Sequence, residues 1–236
     1  MTITLEHTHK ENYNVQTFWF KPEKPLDYTP GQFIEMHLPH DSPDERGIKH
    51  WFTLSSSPIE KLISITTKFY GSKSSSFKKT MFGLKPGARI KIVEPMGDFV
   101  LPKDITIPLV FVAGGIGITP FRSMVKWLAD RNERRGIIAL LATNNPKDFI
   151  FVDLFKKYGV NLVQMISQSE PNWNGEVGRL SAEKILELTG KLEGQRIYVS
   201  GPEPMVETLE IDLINNGVDK SQLVFDYFPN YKADLN

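Results

Sequence analysis

The stretch HWFTLSSSP, residues 50–58, sets two aromatic rings, Trp51 and Phe52, against four hydroxyls, Thr53, Ser55, Ser56 and Ser57. Hydroxyls in so apolar a setting are costly unless each finds a partner. A planar ligand with ring nitrogens and carbonyls answers both halves of the stretch, because an aromatic ring stacks on it while hydroxyls bond its edge. Taken alone, Phe52 flanked by Trp51 is more often core than a cofactor platform. A second stretch, VAGGIGITP at residues 112–120, runs an apolar strand into Gly114, Gly115 and Gly117, then into Thr119 and Pro120. Glycines let backbone approach a ligand closely, and a helix opening at Thr119 offers free N–H groups and a positive dipole end to a phosphate. Thr119 suits the N-cap and Pro120 the first helical position. The spacing departs from the GxGxxG fingerprint, and a tight strand–helix turn without a ligand is the plain alternative.

The stretch YVSGPEPM, residues 198–205, repeats this layout with Ser200, Gly201, Pro202 and Met205. Ligands gather at the carboxyl ends of the strands in an open α/β sheet, so the two Gly/Pro turns together predict a dinucleotide site. A serine-rich turn, GSKSSSF at residues 71–77, places Ser74, Ser75 and Ser76 at the opening of a further helix, again suited to phosphate. Metal chemistry has little support. Cysteine is absent, which excludes disulfides, thiolate-held zinc and cysteine-ligated iron–sulfur clusters in this chain. His7 and His9 would share one face of a strand, but no third ligand accompanies them, so they read as a polar N-terminal edge and no metal is expected.

Two kinds of element must position these residues. Up to about residue 103 the chain reads as short strands, NVQTFWFKP, GQFIEMHLP, HWFTLSS, LISITTKFY and ARIKIVEP, bounded by PG, LP and SP turns, with one helix over SSFKKTMFGL. That pattern predicts a small antiparallel barrel carrying one helix. From about residue 104 strands alternate with helices: PLVFVA, GIIALLAT, VNLVQMIS, QRIYVS and QLVFDYF against TPFRSMVKWLAD, DFIFVDLFKKYG, SAEKILELTG and EPMVETLEIDLINNG. Repeated β-α units predict a doubly wound parallel sheet. The expected architecture is therefore two domains, an antiparallel β-barrel over residues 1–103 and an α/β nucleotide-binding domain over 104–236, joined by LPKDITIP at 101–108.

Composition narrows the function classes. The 236 residues suffice for two modest cores, and 28 basic residues balance 28 acidic ones, so no global field favours nucleic acid or an anionic membrane. No apolar run approaches the roughly 20 residues of a membrane span, and the N-terminus has neither a basic nor an apolar signal region, which makes the cytoplasm the expected location. The sequence carries no mark of an oligomeric state.

Read in order, these motifs carry a family resemblance. The chain resembles the ferredoxin–NADP reductase superfamily, of the compact bacterial flavodoxin-reductase or oxygenase-reductase kind. In that family a pattern R-x-[YF]-[ST]-x-x-S on the barrel binds flavin; here it reads His50-Trp51-Phe52-Thr53-Leu54-Ser55-Ser56. A G-x-x-S-S/N turn holds the flavin pyrophosphate, and here it is Gly71-Ser72-Lys73-Ser74-Ser75. The family's GGxGxTP and C-G-P-x-x-M motifs position the nicotinamide nucleotide, and correspond to residues 114–120 and 200–205. The match spans nearly the whole chain. It implies FAD and NAD(P)H as cofactors, with Phe52 stacking on the flavin, Thr53 bonding its central ring, and Thr66, Thr67 and Lys68 lining its pyrimidine edge or ribityl chain. It also implies that an aromatic of the tail DYFPNY, Phe228 or Tyr231, covers the flavin face where nicotinamide lands; end-of-sheet packing is the alternative.

The implied activity takes hydride from NAD(P)H onto flavin and passes electrons to a separate acceptor protein such as a ferredoxin or flavodoxin, with Thr53, Ser200 and Tyr231 nearest the chemistry. Two rivals stay open: a flavin reductase that treats flavin as a diffusible substrate, and a nucleotide-binding module without turnover. Three positions depart from the pattern or inform it. His50 stands where the family has arginine, which predicts a weaker, pH-sensitive grip on pyrophosphate. Ser200 replaces a cysteine beside the nicotinamide. Asn144 and Asn145 suit ribose hydroxyls, with Lys147 the nearby cation, and without a guanidinium fork there NADH is favoured over NADPH.

Overall fold

The computed structural model describes residues 1–190 and 194–228. Six antiparallel strands form the first sheet: β1 (Thr2–Lys10), β2 (Val15–Pro22), β3 (Phe33–His37), β4 (Lys49–Thr53), β5 (Ile63–Lys68) and β6 (Arg89–Ile92), in the order β4-β3-β6-β1-β2-β5. The sheet curls until its two edges meet, where the Ser55 N–H just beyond β4 donates to Ser64 O of β5 at 2.8 Å. Helix α1 (Ser76–Phe82) turns Phe77 and Met81 into the barrel core, among Ile3, Leu5, Phe18, Phe20 and Ile34. The N-terminus is no edge. Ile3 and Leu5 alternate inward and place β1 between β2 and β6, while residues 6–10 are exposed; the polar second half had masked the apolar first. Among the described residues no group of three potential ligands could hold a metal ion.

The second sheet is wholly parallel, in the order β10-β9-β8-β7-β11-β12: β7 (Leu109–Gly114), β8 (Ile137–Thr143), β9 (Asn161–Ile166), β10 (Glu176–Val177), β11 (Arg196–Pro202) and β12 (Leu223–Phe228). Alternation along β7 explains the layering. Leu109, Phe111 and Ala113 pack against α2 (Thr119–Asp130) and α3 (Val152–Lys157), while Val110 and Val112 pack against α4 (Ala182–Thr189) and α5 (Glu203–Asn215). On α2, Phe121, Met124, Val125 and Leu128 are buried at i, i+3, i+4 and i+7, each contributing about 1.5–3 kcal/mol of transfer free energy. Helix α3 is shorter than its sequence suggests. Phe149 stacks on Trp173 and Phe151 takes a positive φ of 61°, so helix begins only at Val152. No helix among the described residues is long and apolar enough to cross a membrane.

Phe99, before the expected boundary at 103/104, packs in the second core beside Phe121 and Tyr198. Val100 O accepts from Tyr198 at 2.7 Å, so the connection is anchored to the α/β half before it leaves the barrel.

Candidate functional site

The order of the second sheet reverses between β7 and β11, with β8 on one side and β12 on the other. A crevice of about 610 Å³ opens there, walled by Gly114 and Gly115 after β7, Thr143 and Asn144 after β8, Ser167 and Gln168 after β9, and Pro202 and Met205 at the β11–α5 turn. These are all carboxyl ends of strands, as expected for a ligand crevice in a doubly wound sheet. The glycines divide their work. A Cβ on Gly117 would lie 2.1 Å from Ser200 O, and one on Gly114 2.5 Å from the Met205 sulfur, so these two let the motif turns pack together. Gly115 has φ +53° with nothing near its Cβ position, and so presents open backbone to the crevice. Thr119 is not the N-cap: it is already helical at φ −60°, ψ −45°, because a 3-10 turn over 115–118 runs directly into α2, and its side chain is buried.

Asn144 lines the crevice, but Asn145 does not: its side chain accepts from Lys147 N at 3.0 Å and donates to Asp148, capping the turn over 146–148. The crevice does contain a guanidinium. Arg179, exposed at the turn before α4, lines the same wall as Asn144, Ser167 and Gln168. Sequence reasoning looked for it directly after β8 and missed it, because strand order rather than chain order brings it in. Lys68 also lies in this crevice, 3.8 Å from the Asp148 carboxylate and over the ring of Tyr70.

A second cleft, of about 370 Å³, lies between barrel and sheet. Its barrel wall carries Phe33, His50, Trp51, Phe52 and Thr53, and its other wall Phe225, Asp226 and Tyr227 from β12. Phe52 and Thr53 are mostly buried, whereas Trp51 is 53% exposed and donates to Glu35 at 3.1 Å. The His50 ring stacks on Phe77 at 4.3 Å between centroids, so it packs against α1 as well as facing the cleft. Asp226 is a second residue the sequence reading overlooked. Burial pushes its carboxyl up to about 6, opposed by the Ser200 hydroxyl, which donates to it at 3.2 Å. An acidic residue inside the apolar strand QLVFDYF was the available signal. Phe228 ends β12 by its backbone, and Tyr231 lies outside the described residues.

The hydroxyl run after Thr53 serves the barrel seam. Ser55 Oγ lies 2.9 Å from both Ser64 Oγ and Thr66 Oγ1, and Thr66 Oγ1 lies 2.8 Å from Thr17 Oγ1. Ser56 Oγ accepts from Ser64 N at 2.9 Å and meets the Tyr28 hydroxyl at 2.8 Å. Ser55, Ser56 and Ser57 are fully buried and Thr66 and Thr67 nearly so; the first two serines and Thr66 find their partners inside the barrel. The serine-rich turn is likewise engaged: Ser74 Oγ accepts from Tyr70 N, Ser75 Oγ from Lys78 N, and Ser76 Oγ from Asp44 N. Asp44 in turn accepts from the Ser76 N–H at 2.7 Å and from Arg46 at 2.9 Å. Burial opposes its ionisation, yet Arg46 and the Ser76 and Arg46 amides hold the carboxyl down at about 2.

Residues 111–210 match the model of the oxidoreductase NAD-binding domain. The chain is 27% identical over 220 residues to the reductase component of propane 2-monooxygenase from Rhodococcus jostii, covering 88% of this chain and 58% of that one. It is 24% identical over 235 residues to flavohemoprotein A of Dictyostelium discoideum, covering 93% and 58%. The chain thus spans under two thirds of the length of these relatives. The flavohem-like FAD/NAD-binding domain of nitric oxide dioxygenase from Vibrio cholerae superposes with a TM-score of 0.81 at 23% identity, covering 96% of this chain and 98% of that one. A ferredoxin NADP+ reductase from Neisseria gonorrhoeae, with bound FAD and NADP, gives 0.79 at 16%, again covering 96% and 98%. The antiparallel barrel followed by a parallel α/β sheet is thus the two-domain fold of these FAD/NAD-binding structures, and residues 111–210 are similar to the oxidoreductase NAD-binding domain.

Proposed function

We propose that this chain is an NAD(P)H-dependent flavoprotein reductase that hands electrons to a separate acceptor protein, with a flavin-binding barrel over residues 1–103 and a nucleotide-binding domain over 104–236. The observation that carries the reading is the facing pair of walls in the 370 Å³ cleft: Phe52 and Thr53 on one side, Asp226 with its Ser200 donor on the other. FAD, when bound, supplies the two-electron acceptor for nicotinamide and the one-electron donor to the partner. The residues present fit both cofactors. The cleft offers an aromatic ring and a hydroxyl to a planar heterocycle, and Gly115 offers unobstructed backbone to a pyrophosphate. Thr53 and Phe52 orient the ring, and Ser200 and Asp226 border the nicotinamide and hold a proton between them. Asn144 and Arg179 take the adenosine end, and the guanidinium admits a 2′-phosphate, so NADPH is accepted as well as NADH. A cytoplasmic setting rests on composition alone.

One observation favours a second reading, in which flavin is a diffusible substrate. The Asp44 carboxylate takes the first amide of α1, beside the turn the family uses for pyrophosphate, and so weakens the grip on FAD. Ferricyanide reduction by NADH or NADPH after gel filtration separates the two: activity without added flavin supports a held cofactor, and activity only with added flavin supports the diffusible one. No activity with either nucleotide in the presence of FAD rejects both.

A further inference from the structure

Arg122 and Ser123 are the fourth and fifth residues of α2, and both reach across to the barrel. Arg122 Nη1 donates to Ser55 O at 2.8 Å and Nη2 to Glu60 Oε1 at 3.0 Å, with a further contact from Nη1 to Glu60 Oε2. Ser123 Oγ donates to Ser56 O at 2.5 Å, and that carbonyl also accepts from Tyr28 at 3.1 Å. Glu60 is fixed in its turn by the Ser57 N–H at 2.6 Å. The guanidinium lies 5.4 Å from the ring of Trp19 and 5.9 Å from that of Phe151. Phe151 holds the left-handed conformation that bulky residues avoid, and that conformation places its ring on Arg122. Side-chain exposures of 11% for Arg122 and 17% for Glu60 mean that water screens the pair little.

We propose that Arg122 is a positioning residue for hydride transfer: with Glu60 and Ser123 it holds α2, and hence the 114–119 turn, in register with the strand that carries Phe52 and Thr53. The inference rests on the reading of the two clefts as flavin and nucleotide sites. Its geometry is short-range. Ser55 and Ser56 follow Thr53 by two and three residues, and Arg122 follows Thr119 by three. The contacts therefore grip each domain within one turn of its ligand-bearing segment. Domains joined by a modest interface move relative to one another by default. A bidentate arginine desolvated against two rings removes that freedom as a lysine cannot. Other attachments across the junction among the described residues, Asn12 to Lys147 and Asp148, Tyr13 to Asp148 at 2.6 Å, Lys68 to Asp148, Arg135 to Pro102 and Tyr198 to Val100, touch neither Ser55 nor Ser56.

Two variants test this. Arg122→Lys keeps the charge but cannot span Ser55 O and both Glu60 oxygens; Glu60→Gln keeps the shape without the charge and serves if the first misfolds. In flavin-free protein, spin labels at Lys24→Cys and Glu207→Cys, in a chain with no other cysteine, report the interdomain distance; a narrow distribution in the parent and a broader one in the variants is expected. In flavin-loaded protein, anaerobic single-turnover reduction should slow by about tenfold to a hundredfold, with nucleotide affinity kept within about twofold. An unchanged rate overturns the proposal whatever the distances show, and so does a rate loss that only tracks lost nucleotide affinity or flavin content. If the parent chain itself is not reduced, the reading of the clefts fails and the positioning role falls with it, while an unaltered distance distribution in the variants separately rejects the clamp.

Discussion

Asp226 carries the clearest pH signature at the residue scale. Burial raises its carboxyl from an ordinary 3.8 to about 6 in the folded chain, so the native state holds the proton more tightly than the unfolded state does. The stability this confers is full below pH 4 or so, and is lost as pH rises through about 6. Asp226→Asn should therefore match the parent in acid and exceed it by about 1–3 kcal/mol at neutral pH. Urea unfolding at both pH values checks this; equal stability of the two proteins at neutral pH would contradict it. Arg179 offers a test of nucleotide choice. Its guanidinium is the exposed cation on the crevice wall beside Asn144, so Arg179→Ala should raise the dissociation constant for NADPH at least about tenfold and leave NADH within about twofold. An equal loss for both nucleotides would place Arg179 away from the 2′-phosphate.

At the scale of elements, the glycine turn separates packing from ligand approach. Gly117→Ala drives a Cβ against the Ser200 carbonyl at 2.1 Å, backbone against backbone, and should destabilise the fold by about 1–3 kcal/mol. Gly115→Ala meets open space and carries only the left-handed cost of about 1–2 kcal/mol; its larger effect should fall on nucleotide affinity. Thermal unfolding and nucleotide titration of the pair distinguish the two roles, and the same stability loss without an affinity loss in Gly115→Ala would contradict this division. Most elements were legible in the sequence because their apolar periods were intact, as with Phe121, Met124, Val125 and Leu128 on α2. Two were not. β1 has only Ile3 and Leu5 to mark it, and α3 loses its first turn where Phe149 stacks on Trp173 and Phe151 turns left-handed. Both outcomes are set by tertiary contacts that local pattern does not contain.

Across the whole molecule, the motifs were readable and several of their roles were not. Phe52, Thr53, Gly115 and Asn144 do line the two clefts, since each sits at a strand end that topology brings to an opening. Ser55, Ser56 and Thr66 share the polarity expected of ligand contacts, yet barrel closure turns them inward onto one another and onto Tyr28 and Ser64. Sequence cannot separate a hydroxyl that meets a ligand from one that closes a seam. Asp226 and Arg179 were missed for the converse reason: residues distant in the chain meet only through the order of the parallel strands. The central claim is that the two clefts serve one hydride transfer. Anaerobic mixing of the FAD-loaded protein with NADH, and separately with NADPH, tests it most directly. Loss of the flavin's visible absorbance with at least one nucleotide is the expected result, and an absorbance unchanged by either would contradict it.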